Sequence, residues 1–137
     1  MSIDPVAEAR YRYRLASQHL TRAERLYGLS DWAGTVQFAQ LAIENFAKTI
    51  IALFEVPTWS HDPSNQLLRL LSKFPPRMAD EVRELAGLVR EVAPEHGRST
   101  YGEPSRGLTP AELYDEDQAR GILGKARRAR NLVVLST

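Results

Sequence analysis

The chain holds three histidines, His19, His61 and His96, and no cysteine. Thiolate nucleophiles, disulfides and cysteine-ligated metals are thereby excluded. The histidines lie far apart in sequence, and none has another histidine at metal-ligand spacing, so neither a metal site nor a cofactor is expected. His96 is the most suggestive of the three. It follows Arg90 by six positions and sits near Arg98 and Tyr101. An imidazole beside a guanidinium can cleave RNA without a metal, because the imidazole moves the proton of the 2′-hydroxyl or of the leaving oxygen. The guanidinium holds the phosphate, whose charge grows in the transition state. An Arg-x5-His pair is also a pattern that an arginine-rich chain throws up by chance. His61, just before Asp62-Pro63, reads either as a hydrogen-bonding loop residue or as part of a ligand site. His19, beside Leu20, reads as a boundary residue. There is no P-loop, no dinucleotide-binding glycine run, no nucleophile elbow and no His-Glu-x-x-His.

Charge adds a second set of candidates. The chain is nearly neutral, with 18 Lys+Arg against 17 Asp+Glu, so no global field marks it as a nucleic-acid or membrane binder. The distribution is uneven. Residues 94–117 hold six acids and two arginines, whereas residues 118–137 hold Arg120, Lys125, Arg127, Arg128, Arg130 and no acid. Arg127 and Arg128 mark this last stretch either as a solvated helical face favoured by the helix dipole or as an anion-binding surface. Arg10, Arg12 and Arg14, interleaved with Tyr11 and Tyr13, could extend such a surface by stacking on bases.

The elements that position these residues are helical. At 137 residues, residues 1–137 read as a single domain. Val6, Ala9, Tyr13, Ala16, Leu20, Ala23 and Tyr27 recur every three or four residues, the stripe of one long helix. Asp4 can cap it, Pro5 suits its first turn and Gly28 its stop. Trp32, Val36, Ala39, Ile43, Phe46, Ile50 and Leu53 mark a second helix. Ala42, Ala47, Ile51 and Phe54 widen its apolar face, which makes it the central helix. Glu44 and Lys48 stand four apart on it, in the order that favours an ion pair worth a few tenths of a kcal/mol if exposed. Asp62-Pro63 opens a short leucine-rich helix that Phe74-Pro75-Pro76 breaks. Met78, Val82, Leu85, Val89 and Val92 continue the pattern. Residues 94–110, rich in proline and glycine, read as a long irregular loop of the functional or mobile kind. Thr109-Pro110-Ala111-Glu112 has capping-box spacing and opens the last helix, where Gly121 and Gly124 suggest close approach to a neighbour. No strand pattern competes. The fold class is all-α, an antiparallel up-and-down bundle of four to five helices. No apolar run approaches the ~20 residues of a membrane span. Met1-Ser2-Ile3-Asp4-Pro5 lacks a signal-peptide pattern, so a soluble, cytoplasmic protein without membrane contact is expected. The small seam of the first helix and the two-sided second helix call for a further partner face, hence a homodimer.

The segment Ala39-Gln40-Leu41-Ala42-Ile43-Glu44-Asn45-Phe46-Ala47-Lys48, preceded by Trp32, is followed by His61-Asp62, the short leucine-rich helix and Arg98-x-x-Tyr101 ahead of a final alanine-rich helix. This order resembles the small prokaryotic and archaeal HEPN domains over roughly residues 5 to 135. The resemblance implies an antiparallel helical bundle, often homodimeric, in many cases encoded beside a minimal nucleotidyltransferase as a toxin–antitoxin type pair. Some members are metal-independent endoribonucleases with an Arg-x4-6-His motif from each subunit, which would here be Arg90 and His96. Others lack the motif and bind nucleotides or a partner protein. Glu91 stands where the ribonuclease members carry a different polar residue, and Pro94 falls inside the motif. Both departures favour the binding branch. The expectation is a module for a nucleotide, RNA or a nucleotidyltransferase partner, with Arg98, Tyr101, His61, Arg127 and Arg128 as ligand-binding candidates. The alternatives are a ribonuclease using Arg90 and His96, and a homodimeric scaffold without catalysis.

Overall fold

A computed structural model describes residues 4–136. The Met1-Ser2-Ile3 start, with its missing signal-peptide pattern, lies outside the described residues. Four long helices dominate: α1 (Pro5–Gly28), α2 (Trp32–Ala52), α4 (Pro76–Val92) and α7 (Glu116–Ser136), with the short α3 (Ser64–Arg69), α5 (Glu95–Tyr101) and α6 (Pro110–Leu113) between them. The described residues contain no strand, only an isolated bridge between Glu103 and Leu108. The all-α bundle expected from periodicity is the fold. No helix among the described residues is long and apolar enough to cross a membrane.

Cross-helix pairs give the directions. Residues at the start of α1 line a cavity with Thr49 and Leu53 at the end of α2 and Val133 at the end of α7. Glu91 and Glu84 of α4 pair with Lys125 and Arg128 of α7. Hence α1 and α4 run one way, α2 and α7 the other. Helix α2 is central, packed by α1, α7, α4 and α5. Its stripe supplies the middle of the core: Val36, Ala39, Ile43, Phe46 and Ile50 are all buried. The Tyr13 ring meets Phe46 edge-on with centroids 5.7 Å apart. Each such large side chain contributes ~1.5–3 kcal/mol of burial.

The ends of α1, α2 and α3 follow the sequence signals with two exceptions. Asp4 Oδ1 accepts the Val6 N–H and Asp31 Oδ1 accepts the Gly34 N–H, as N-caps should. The stop of α1 is not made by Gly28, which is the last helical residue. The chain reverses at Ser30, with φ 60°, while the Asp31 N–H reaches back to the Leu26 carbonyl and the Ser30 N–H to Tyr27. This is the left-handed C-terminal motif that glycine normally fills. Ser30→Gly should therefore raise stability by roughly 0.5–1 kcal/mol; a urea midpoint equal to or below wild type would contradict this. Asp62 does not cap α3 directly. Pro63 holds the cap position, and Asp62 Oδ1 accepts the Ser64 N–H from one residue earlier.

The stretch 94–110 is the main correction. It is built, not irregular: α5, a 3-10 turn over Pro104–Arg106 and the Glu103–Leu108 bridge fill it. Gly102 and Gly107 take positive φ at its corners, and its charges serve each other. Arg98 bonds Glu95 at 2.7 Å and Glu103 at 2.9 Å, and Arg106 bonds Glu103 at 2.7 Å. The Tyr114 hydroxyl donates to Glu95. The capping box at Thr109 and Glu112 is present, but it opens only the single turn of α6. The chain extends at Tyr114, and Asp115 exchanges bonds with Gln118 to start α7 afresh. Gly121 and Gly124 are not close-approach positions, since a Cβ on either would meet nothing within 4 Å.

Candidate functional site

The central helix carries polar residues that its periodicity hides. Gln40, Glu44 and Lys48 follow one another at four-residue steps, so they share one face of α2. All three are buried. Lys48 donates to Glu44 Oε2 at 3.1 Å and Gln40 donates through its amide nitrogen to Glu44 Oε1 at 3.1 Å. The Glu44–Lys48 pair is thus an interior pair, with side chains 6% and 5% exposed respectively, rather than a surface one.

Two histidines rest on this ladder. His61 comes from the segment joining α2 to α3, and its Nδ1 lies 3.0 Å from Glu44 Oε1. His96 comes from the first turn of α5, and its Nδ1 lies 3.1 Å from Gln40 Oε1. The two imidazoles stack, with centroids 3.5 Å apart and planes 17° from parallel. Hydrogen-bond accounting fixes their tautomers. Glu44 accepts only, so His61 donates from Nδ1. The Gln40 amide nitrogen is committed to Glu44, so its oxygen accepts from His96 Nδ1. Both rings therefore donate from the inner Nδ1, and a ring in its neutral form carries a lone pair on the outer Nε2. Burial, and then the neighbouring His61, hold the His96 imidazole below its ordinary pKa, which keeps it neutral at pH 7. The two rings stack without mutual charge repulsion in that state.

The remaining candidates fall in three places. Arg90 of α4 is bonded to the start of α3, three and four positions after His61 in the chain: its Nε donates to Ser64 Oγ at 3.2 Å and its Nη2 to Asn65 Oδ1 at 2.7 Å. Neither partner is charged, and Arg90 is exposed. Arg98 belongs to the 94–110 network. Burial works against its charge, but Glu95 and Glu103 outweigh that and raise its pKa. The same neighbourhood pushes the Tyr114 hydroxyl up, chiefly through burial and the Glu95 bond. Tyr101 closes α5 and is 74% exposed. Arg127 and Arg128 sit elsewhere, on α7, paired with Glu24 at 3.1 Å and Glu84 at 2.6 Å. With Lys125 on Glu91, these pairs lace the basic helix to α1 and α4, whereas Arg120 pairs with Asp117 inside α7. Exposed pairs of this kind add little to stability. Arg12 similarly faces Glu8 and Asn45. The rings of His19 and Phe38 lie 5.8 Å apart.

Chain separation does not suggest that Glu44, His61 and His96 meet, yet the fold brings them together. A nitrogen of His61, a nitrogen of His96 and a Glu44 oxygen all lie within 4.8 Å of one another. Gln40, Glu44 and Lys48 escape sequence reasoning as site residues. The available signal is their shared face on a helix already marked as central.

Among solved structures, the fold resembles the crystal structure of TT1696 from Thermus thermophilus, with a TM-score of 0.72 at 21% sequence identity, covering 95% of this chain and 98% of that one. At that identity the likeness speaks for the fold. No curated protein matches the chain in sequence. The HEPN domain model matches residues 9–136, nearly the whole length, and the segment that carries the expected resemblance is the one that bears the buried ladder. The chain belongs to the HEPN domain family.

Proposed function

We propose that this HEPN domain is a binding module for the phosphate-bearing face of RNA or a nucleotide, with His61, His96 and Arg90 at the contact. The observation that supports this reading is the stacked imidazole pair, whose Nδ1 atoms bond the buried ladder and leave the Nε2 atoms away from it, together with an arginine bonded to the uncharged Ser64 and Asn65 that follow His61 in the chain. Lone-pair nitrogens accept from ribose hydroxyls, and the guanidinium matches a phosphate in charge and shape. Arg98, tied to two carboxylates, and Arg127 and Arg128, tied to α1 and α4, are secondary contributors on this reading. The reading includes a cytoplasmic homodimer and a nucleotidyltransferase partner, in keeping with the family resemblance.

A second reading, metal-independent RNA cleavage by Arg90 and His96, is favoured by the fixed tautomer of His96, whose Nε2 is set to accept a proton. One experiment separates the two. Fluorescent single-stranded RNA and ATP are titrated with the protein in EDTA, and the RNA is then run on a gel. Arg90→Ala should weaken binding about tenfold, the loss of one charge-assisted contact. RNA that stays intact supports binding alone. Cleavage that His96→Ala abolishes supports the enzyme. Binding of both ligands unchanged in Arg90→Ala and His96→Ala would sink the module reading.

A further inference from the structure

Phosphate recognition at the outer edge leaves the inner edge of the histidine pair unexplained. There two imidazole nitrogens, a buried carboxylate oxygen and an amide oxygen converge. The distances from His61 Nδ1 to Glu44 Oε1 and from His96 Nδ1 to Gln40 Oε1 are 3.0 and 3.1 Å. Tetrahedral zinc holds nitrogen and oxygen donors at about 2.0–2.2 Å, which sets neighbouring donors about 3.3 Å apart. Two of the edges already have nearly that length. Ligand atoms, one each from Glu44, His61 and His96, lie within 4.8 Å of one another, and the stacked rings, with centroids 3.5 Å apart, have to swing apart by about 1.5 Å for both Nδ1 atoms to reach one tetrahedral ion.

We propose that His61 Nδ1, His96 Nδ1, Glu44 Oε1 and Gln40 Oε1 form a binding site for one borderline transition-metal ion, with Zn2+ the best match. Two imidazoles, one carboxylate and one amide suit zinc and its neighbours, whereas magnesium and calcium call for an oxygen shell. Lys48 on Glu44 Oε2 turns the carboxylate so that Oε1 faces the rings, the anchoring that metal-ligating carboxylates usually receive. Entry is from the His61 side, where the ring is half exposed. The ion takes the place of the two Nδ1 protons. Each neutral ring then carries its proton on Nε2, with solvent conveying it, so no proton is gained or lost at the imidazoles. The outer edge changes from two acceptors to two N–H donors. Metal binding itself does not depend on the phosphate reading.

The test is calorimetric titration of the metal-free full chain with ZnCl2 and, separately, MgCl2. One zinc per chain and no magnesium uptake are expected. His61→Ala, His96→Ala and Glu44→Gln should each weaken zinc by at least ~100-fold, since even outer-shell losses cost up to that much. His61→Ala alters a half-exposed side chain, and unchanged far-ultraviolet dichroism confirms that it folds. Visible absorption of the Co2+ form, weakened in the same variants, gives a second readout. No saturable zinc uptake, or equal uptake by the His61→Ala/His96→Ala double variant, overturns the proposal. RNA binding in EDTA is read separately, so failure of either reading leaves the other standing.

Discussion

Glu44→Leu is expected to destabilise the fold by about 3–5 kcal/mol, because it strands the Lys48 ammonium in the interior. Lys48 is only 5% exposed on its side chain and bonds Glu44 at 3.1 Å. Glu44 is the one carboxylate that pairs with it among the described residues, so the substitution leaves the ammonium no replacement. It also removes the acceptor for Gln40 and His61, adding unmet donors to the loss. The double variant Glu44→Leu/Lys48→Met should recover most of the stability, since a buried ion pair is often close to neutral against apolar residues of similar size. Urea unfolding of the four proteins of this cycle measures the effect. A single-variant loss below about 1 kcal/mol would mean that the Lys48 ammonium reaches water in solution, and that the ladder is not interior.

Gly102→Ala is expected to cost at least about 3 kcal/mol and to loosen the segment from α5 to α6. Gly102 has φ 75° and ψ −153°, a region that side-chain-bearing residues avoid. A Cβ there would stand 2.2 Å from the Leu108 carbonyl oxygen and 3.1 Å from Thr109 Cα. Both are backbone atoms and cannot swing aside. That same Leu108 carbonyl accepts the Glu103 N–H at 2.8 Å, so relieving the clash breaks the bridge that positions Glu103 for Arg98 and Arg106. Thermal unfolding reports the global loss, and hydrogen exchange over residues 95–115 reports the local one. Wild-type protection of those amides in the variant would refute the assignment of Gly102 as a required glycine.

The long helices are legible because burial on one face imposes a period that α1, α2 and α4 keep without interruption. Where turns depend on exact backbone angles, sequence reading slips. Gly28 looks like a stop, yet Ser30 takes the left-handed position. The 94–110 segment looks irregular because proline and glycine mask a structure held by Arg98, Glu95, Glu103 and Tyr114, contacts whose partners lie up to 19 residues apart. The site is less legible still. His61 and His96 are each visible as candidates, but their stacking depends on the packing of α5 and of the segment before α3 against α2, which local pattern does not encode. Glu44 and Lys48 are recognisable as a pair. That they lie inside follows only when α2 is surrounded, and the width of its apolar face carries that information.

The histidine pair draws on segments far apart in the chain: His61 meets Glu44 across 17 residues and His96 meets Gln40 across 56. A polypeptide leaving the ribosome can pair α1 with α2 early, since their connection is only a few residues. Glu44 can meet His61 once the segment before α3 has emerged, whereas the Gln40 carbonyl oxygen has no His96 to receive until α5 has been synthesised. The stacked pair therefore forms only after α5 has been made, and a chain cut short before it keeps α1 and α2 but not the pair.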